Sequence, residues 1–218
     1  MKKSQKIKPG HFLTLEGGEG AGKSTQLRRL MARLAEQKIN CIATREPGGS
    51  PGAEDIRNLL VNGEPGRWDA LTETLLMFAA RADHVAKTIG PARLAGQWVI
   101  CDRFTDSTYA YQGAGRSMAR ETIRRIESVV LDDFRPDFTL ILDLPVEEGL
   151  ARAHSRGPAE ARFEKFDLEF HERLRKGFLD IAKRNPDRCA VIDASQPEEA
   201  VAEAIWKQVS RRFRLKKV

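Results

Sequence analysis

The sequence predicts an α/β fold in which a five-stranded parallel sheet is flanked by helices. Two observations carry this prediction. Short apolar runs, typical of buried strands, alternate along the 218-residue chain with longer segments of helical periodicity. Repeated strand–helix alternation requires crossover connections, and these place parallel strands in one sheet with helices on both of its faces.

The predicted elements follow this alternation along the whole chain. A helix from 23 to 37, for example, carries Leu27, Leu30 and Leu34 on one face. Ligands of such sheets bind beyond the carboxyl ends of the strands, so we expect functional residues directly after each strand. The strands are predicted at 12–16, 40–44, 98–102, 138–144 and 190–193, and the helices at 23–37, 53–61, 68–95, 107–112, 119–131, 146–154, 166–184 and 197–213.

The positive charge of the chain lies at its two ends. We find no internal repeat or linker and predict one domain over 11–213, between basic tails at 1–10 and 214–218. The formal charge is +6, but 1–10 and 211–218 together hold nine basic residues and no acidic one. Taking these nine from the 37 basic residues leaves 28, against 31 acidic residues. A nucleic-acid-binding face would keep its charge in the body of the protein, so we expect no nucleic-acid partner.

The composition also argues against a membrane or secreted protein. No apolar run approaches the roughly 20 residues that a spanning helix needs. The basic start is followed by no apolar signal segment. The three cysteines, Cys41, Cys101 and Cys189, lie in or beside short apolar runs and have no metal-ligand spacing. We expect reduced, buried thiols, no membrane partner and a cytoplasmic location.

The segment after the first strand carries a phosphate-binding motif. Residues 17–24, GGEGAGKS, match G-x-x-x-x-G-K-[ST] between a predicted strand and a predicted helix. The glycines let backbone N–H groups turn inward, and the helix N-terminus adds its positive dipole end. This P-loop predicts ATP binding, with Lys23 on the β- and γ-phosphates and the Ser24 hydroxyl on Mg²⁺. The predicted ATP-binding residues are Gly17, Gly18, Glu19, Gly20, Ala21, Gly22, Lys23, Ser24 and Thr25.

Phosphate-directed side chains also follow the second and third strands. After the third strand, Asp102 is placed to orient the waters of a metal ion, and Arg103 can grip a phosphate with two hydrogen bonds. Arg45 follows the second strand, in a loop made rigid by Pro47. An ion pair at a strand end or an ordinary turn would account for each feature alone. Together with the P-loop, these cations indicate a second phosphate site.

Three arginines lie around a predicted break between two helices. Arg152, Arg156 and Arg162 flank or follow Gly157-Pro158, a dipeptide that favours a loop. A mobile lid at about 151–163 would exclude water and stabilise charge on a transferred phosphoryl group. The alternative is a solvated helix end.

The long helix at 68–95 carries an aromatic ring beside a guanidinium group. Phe78 and Arg81 are three residues apart and can share a helix face. The ring could stack on a planar base while the guanidinium binds its edge. In isolation, a phenylalanine in a helix is more often a core residue.

Taken together, these residues resemble thymidylate kinases over about 12–213. The resemblance rests on 17–25, on TREPGG at 44–49, on DRF at 102–104 and on STYAYQG at 107–113. It implies a P-loop nucleoside monophosphate kinase fold with a short arginine-bearing lid. It also implies transfer of the γ-phosphoryl group of MgATP to dTMP, giving dTDP for dTTP synthesis, by a homodimer.

The resemblance further implies which residues hold the sugar and phosphate of dTMP. Glu19 is similar to the family's carboxylate on the 3′-hydroxyl, and Arg45 and Arg103 to the arginines on the phosphate. Tyr111 is similar to the ring near the 2′ position, which disfavours a ribonucleotide. By the same resemblance, the peptide bond between Glu46 and Pro47 is expected to be cis.

On the base side, Arg81 is similar to the arginine on the thymine edge, and Thr108 and Gln112 to further base contacts. In many members of the family the stacking aromatic lies four residues before this arginine. Here that position is Met77, and Phe78 is three residues before it. Either Phe78 still covers the base or Met77 takes its place.

The resemblance also distinguishes two arrangements of the catalytic arginine. Some members carry it inside the cradle, where this chain has Gly20, and the arrangement here is similar to the bacterial type with a lid arginine. We expect this to be Arg156, ahead of Arg152 and Arg162. The predicted catalytic residues are Lys23, Arg103, Arg156 and Arg152, and the predicted metal ligands are Ser24 and Asp102.

Three other functions are compatible with parts of the sequence. One is a kinase for another pyrimidine monophosphate, dUMP or UMP, because the thymine methyl group supports only about 1–3 kcal/mol of discrimination. A second is a P-loop switch without a phosphoryl acceptor, and a third is a nucleic-acid-dependent ATPase. The switch needs no second phosphate site, and the acidic body argues against the ATPase.

Overall fold

The computed structural model describes residues 8–155 and 162–215. All five strands form one parallel sheet in the order β2-β3-β1-β4-β5, which confirms the predicted fold class. Two strands have the predicted bounds, and the other three differ by one residue at one or both ends. The strands are β1 (Phe12–Glu16), β2 (Cys41–Arg45), β3 (Trp98–Asp102), β4 (Phe138–Asp143) and β5 (Cys189–Asp193).

Helices cover both faces of the sheet, and two of the predicted helices differ from what the periodicity indicated. They are α1 (Lys23–Glu36), α2 (Pro51–Val61), α3 (Ala70–His84), α4 (Gly90–Leu94), α5 (Thr105–Thr108), α6 (Arg120–Leu131), α7 (Val146–His154), α8 (Leu168–Arg184) and α9 (Glu198–Phe213).

The predicted helix at 68–95 is interrupted by a π-helical stretch, Val85–Ile89, between α3 and α4. Gly90 N–H donates to the carbonyl of Val85, five residues earlier, directly before Pro91. Because proline has no N–H group, Pro91 cannot donate the next hydrogen bond of an α-helix. The wider π-helical turn accommodates this missing hydrogen bond. The predicted helix at 107–112 likewise continues as a π-helical stretch, Tyr109–Gly115. Such stretches are frequent at functional sites.

Strand β1 is buried along its whole length because it pairs with a strand on each side. Leu13 and Leu15 face a cluster shared with α1 and α9. Phe12 faces the opposite cluster, with Phe78 and Phe104. Because β1 is the central strand, its carboxyl end lies at the middle of the sheet edge.

Helix α7 packs directly on the loop that follows β1. A Cβ atom on Gly20 would lie 1.9 Å from the carbonyl oxygen of Gly149, and a Cβ on Gly149 would lie 2.5 Å from that of Glu19. Gly20 also has a φ of 68°, which disfavours other residues. The backbones therefore touch, and the helix that begins the predicted lid is held against the cradle.

All three cysteines are free; Cys101 and Cys189 are buried and Cys41 is half-buried. Within residues 8–155 and 162–215, no helix is both long and apolar enough to cross a membrane.

The substitution Gly149→Ala tests the contact between α7 and the cradle. Helix propensity alone would make alanine more stabilising by about 1 kcal/mol. We expect the opposite sign, a loss of about 1–3 kcal/mol in the free energy of unfolding, because the methyl group displaces the carbonyl of Glu19. Urea unfolding measures this, and an increase in stability would show that the contact is loose. Ala151→Gly, at an exposed position of α7, is the control for helix propensity.

Candidate active site

A cavity of about 360 Å³ opens at the carboxyl edge of β1, β2 and β3. Its walls come from the cradle, the loops after β2 and β3, helices α2 and α3, and the π-helical stretch after α5. The edge is the one that a parallel sheet predicts for ligand binding.

The cavity brings together most of the residues that the sequence singled out. Those that line it are Glu19, Gly20, Ala21, Gly22, Lys23, Ser24, Arg45, Arg81, Asp102, Arg103, Thr108, Tyr111 and Gln112. Gly17, Gly18, Thr25, Phe78 and Arg152 do not line it, and Arg156 lies outside the described residues.

In the cradle, the Lys23 ammonium group is held inside the loop. Its Nζ donates to the carbonyls of Gly17 and Gly18 at 3.2 and 2.9 Å. Burial lowers the pKa of Lys23 to about 8, and the nearby Arg103 charge acts in the same direction. Gly17 and Gly18 thus contribute by orienting this lysine.

An oxygen pair lies beside the cradle. The Ser24 hydroxyl donates to Asp102 Oδ2 at 3.0 Å. Hard oxygen ligands of this kind suit Mg²⁺, which is usually bound through one or two protein oxygens together with substrate phosphates. No group of three or more His, Cys, Asp or Glu side chains that could hold a metal occurs in the described part of the chain. Ser24 and Asp102 therefore fit a magnesium site that is completed by substrate phosphates, and not one formed by protein ligands alone.

Arg103 is held in a backbone conformation that arginine rarely adopts, with a φ of 72°. Its N–H donates to the carbonyl of Leu15 at 3.0 Å. Its guanidinium group donates to the carbonyl of Gly17 at 2.8 Å and to Glu19 Oε1 at 3.3 Å. The Tyr111 ring lies 4.9 Å from the guanidinium carbon. These contacts aim the side chain into the cavity.

Glu19 joins Arg103 to Tyr111, whose hydroxyl donates to Glu19 Oε1 at 2.5 Å. Burial opposes the ionisation of Glu19, but the charges of Arg103 and Lys23 outweigh it and hold its pKa below the ordinary value. Glu19 is therefore a carboxylate in the cavity wall, able to accept a hydrogen bond from a hydroxyl group.

A second carboxyl group, Glu16 at the end of β1, holds the turn that carries Arg103. It accepts hydrogen bonds from Phe104 N–H at 2.7 Å and from the Ser107 hydroxyl at 2.6 Å. Burial, with a contribution from the Asp106 charge, raises the pKa of Glu16 to about 8. Asp106 in turn binds the guanidinium of Arg188 at 2.6 and 2.8 Å.

Arg81 forms the far wall and is almost fully buried. Its Nε donates to Glu46 Oε2 at 2.6 Å, and its Nη2 donates to the Thr108 hydroxyl at 3.2 Å. Its Nη1 is buried without a hydrogen-bond partner among the residues that the structure describes. Buried donors are rarely left unpaired, and Arg81 lines the cavity, so this atom is a candidate donor to a ligand. The peptide bond between Glu46 and Pro47 is cis, as expected.

The two candidates for the stacking position differ in where they lie. Phe78, predicted to bind dTMP, is 1% exposed and packs in the core, with its ring 4.8 Å from the Arg81 guanidinium carbon. Met77 is half-buried and lines the cavity. Both are apolar and adjacent, so composition alone does not distinguish them.

The arginines near the two ends of the predicted lid have other partners. Arg152 pairs with Glu148 and donates to the carbonyl of Ala194 at 3.2 Å. Arg162 is 1% exposed and binds Glu73 at 2.6 Å and the carbonyl of Leu60 at 2.9 Å. Arg162 therefore fastens the end of the lid to α2 and α3.

Sequence reasoning did not single out several residues that shape the site. Arg57 and Phe163 line the cavity, Glu46 holds Arg81, and Glu73 holds Arg162. For Glu73, one signal was available, because a carboxylate within the apolar 70–80 stretch is unusual unless it is paired. Arg57 and Phe163 belong to no motif.

The chain is similar to known proteins along nearly its whole length. The family model described as Thymidylate kinase matches residues 15–205. A protein named thymidylate kinase from Caulobacter vibrioides is 57% identical over 206 residues, covering 94% of this chain and 99% of that protein. Another from Magnetococcus marinus is 47% identical over 204 residues, covering 94% and 97%. The crystal structure of thymidylate kinase from Ehrlichia chaffeensis matches with a TM-score of 0.73 and 37% identity, covering 92% of this chain and 99% of that one.

The substitution Glu16→Gln tests the protonation of the buried carboxyl group. The pKa of Glu16 is about 8 in the folded protein, against an ordinary 4.5. Between these values the folded state keeps a proton that the unfolded chain has lost, so the free energy of unfolding falls as pH rises from about 5 to about 8. The slope of the free energy of unfolding against pH that this group causes is at most about 1.4 kcal/mol per pH unit, and it is zero below both pKa values.

The variant should therefore gain stability relative to the wild type as pH rises through this window. Urea unfolding at pH 5, 6, 7 and 8 measures the difference in slope. Glu36→Gln, at an exposed position at the end of α1, should keep the wild-type slope. Parallel curves for Glu16→Gln and the wild type would mean that Glu16 is ionised in the folded protein.

Proposed function

The chain belongs to the thymidylate kinase family, and we propose how its residues divide the work of transferring the γ-phosphoryl group of ATP to dTMP. It is an ATP-dependent nucleoside monophosphate kinase that converts dTMP to dTDP. The observation that supports the assignment of roles is the convergence of four cationic side chains on one cavity. Lys23, Arg45, Arg81 and Arg103 all line it, and Lys23 and Arg103 both donate to the carbonyl of Gly17.

We propose that the cradle binds the phosphates of ATP. The backbone N–H groups from 17 to 24 surround them, and the Lys23 ammonium contacts the β- and γ-phosphates. Ser24 and Asp102 would hold Mg²⁺, which supplies positive charge to the transferring group when bound. The hydrogen bond between these two side chains supports a shared site.

The acceptor is held by the segments after β1, β2 and β3. Arg103 grips the dTMP phosphate, and its contacts with Gly17 and Glu19 orient it before the phosphate arrives. Arg45, more exposed and paired with Glu54 at 3.2 Å, reaches the same phosphate from the loop after β2. Glu19 accepts a hydrogen bond from the 3′-hydroxyl group, and the Tyr111 ring excludes a 2′-hydroxyl group.

The base lies against α3 and the π-helical stretch. Arg81 donates to its edge, Thr108 and Gln112 complete the polar contacts, and Met77 covers its face. The unpaired Nη1 of Arg81 and the exposure of Met77 to the cavity support this arrangement. Phe78 contributes to this arrangement indirectly, because its ring packs against the guanidinium group of Arg81.

The transfer itself needs positioning and charge neutralisation more than covalent chemistry. Lys23 and Arg103 neutralise charge on the phosphates, and the attacking phosphate is already an anion, so no general base is required. The resemblance supports a lid arginine, Arg156, as a third cation on the transferring group. The structural engagement of Arg162 with Glu73 favours Arg156 over Arg162 for this role.

We also propose a cytoplasmic homodimer without a nucleic-acid partner. Leu71 and Leu75 on α3 are 48% and 50% exposed, and Val129 on the neighbouring α6 is 87% exposed. Exposed apolar side chains on two helices that pack against each other suit contact with a second copy. Free thiols and the acidic body of the chain support the location and the absence of nucleic acid.

A substrate panel tests the function directly. ADP release with MgATP and dTMP, dUMP, UMP, CMP, AMP or GMP should be fastest with dTMP. We expect kcat/KM for dUMP to be lower by roughly 5- to 150-fold, since it lacks one methyl group. UMP should be lower again because of its 2′-hydroxyl, and the others should be close to background. Equal rates with dUMP would favour a general pyrimidine kinase, and hydrolysis independent of any acceptor would favour a P-loop switch.

The assignment of Met77 to the base is tested by two alanine variants. Met77→Ala should raise the KM for dTMP about three- to tenfold, leaving the KM for ATP and the stability nearly unchanged. Phe78→Ala should instead lower the free energy of unfolding by about 3–5 kcal/mol, because its ring is buried in the core. Steady-state kinetics and urea unfolding of both variants measure this. The reverse pattern would assign Phe78 to the base.

A further inference from the structure

Glu73 is a fully buried carboxylate in the middle of α3, at 0% exposure. Its Oε2 lies 2.6 Å from Arg162 Nη2 and 3.1 Å from Arg116 Nη1. Its Oε1 accepts a hydrogen bond from Gln112 Nε2 at 2.8 Å. A carboxylate beside two guanidinium groups offers acceptors only, so every neighbour must face it with a donor.

This requirement determines the orientation of the Gln112 side chain. An amide has a donor end and an acceptor end, and its orientation follows from its partners. Because the NH₂ group faces Glu73, the carbonyl oxygen Oε1 points away from it. Gln112 lines the cavity and makes no other side-chain hydrogen bond within the described ranges. Its carbonyl is therefore the group available to a ligand.

The neighbouring wall offers the complementary group. Arg81 lines the same cavity and carries a buried, unpaired donor at Nη1, while its Nη2 donates to Thr108, one turn before Gln112 in the same helical segment. The wall thus presents one donor and one acceptor. The edge of thymine or uracil offers the matching pair, the O4 acceptor and the N3–H donor, whereas cytosine offers an amino donor and an N3 acceptor.

We propose that Glu73 is a positioning residue that determines base specificity. It holds the Gln112 amide with its carbonyl toward the base, and the site therefore selects 4-oxo pyrimidines over cytosine. Glu73 itself touches no substrate and acts through Gln112. Arg162 and Arg116 hold the Glu73 carboxyl group in place, so the Gln112 amide cannot turn to suit the other base. The inference rests on the proposed use of this cavity as the dTMP site.

The substitution Glu73→Gln tests the proposal. An amide at this position must keep its carbonyl toward Arg162 and Arg116, and so turns its NH₂ group toward Gln112. Gln112 then turns its own carbonyl inward and presents a donor to the cavity. We expect the ratio of kcat/KM for dTMP to that for dCMP to fall by roughly 10- to 100-fold. The ratio for dTMP to dUMP should stay at the wild-type value, because these two share the same edge.

Two further variants separate positioning from loss of structure. Arg116→Gln removes one partner of Glu73 and leaves Arg162, so it should lower stability without changing the dTMP-to-dCMP ratio. Gln112→Met keeps Glu73 and removes the amide. It should lower the ratio of kcat/KM for dTMP to that for dCMP, as Glu73→Gln does. This variant decides the question if Glu73→Gln does not fold.

The outcomes distinguish this inference from the function on which it rests. If the wild type did not prefer dTMP, the proposed function would fail. If the wild type preferred dTMP but Glu73→Gln slowed dTMP, dUMP and dCMP equally, Glu73 would be purely structural and the proposal would be overturned. An unchanged ratio in Gln112→Met would overturn it as well.

Discussion

A cavity for two phosphate-bearing substrates must hold several cations close together within one protein. Like charges repel at short range, and burial disfavours each of them. The chain meets this constraint with buried or half-buried carboxylates next to the cations of the cavity: Glu19 pairs with Arg103, and Glu46 pairs with Arg81. Removing one carboxylate would leave an uncompensated buried charge, so the shape of the whole site depends on these pairs.

Polar contacts between neighbouring strands help to place the site at this edge of the sheet. Glu16 ends β1 and holds the turn after β3, while the N–H of Glu46, just after β2, donates to the carbonyl of Asp102 at 2.9 Å. Three neighbouring strands are thus joined at their carboxyl ends by polar contacts. The core behind them is apolar, which leaves this edge as the place where charged side chains converge.

The local part of this arrangement is predictable from the sequence, and the long-range part is not. The cradle and the Asp102–Arg103 pair each follow a strand within a few residues, so their position depends on local geometry. The partnership of Arg162 with Glu73 joins residues far apart in the chain, and no periodicity reports it. Which of Met77 and Phe78 faces the cavity depends on how α3 packs, a matter that two adjacent apolar residues leave open.

The backbone contact between Gly20 and Gly149 limits which substitutions the cradle of this chain can accept. A side chain at position 20 would adopt a φ that disfavours it and would need α7 to lie farther from the cradle. An arginine at position 20 of the cradle therefore depends on backbone spacing and not on one residue. A single substitution there does not suffice, because α7 has to shift as well.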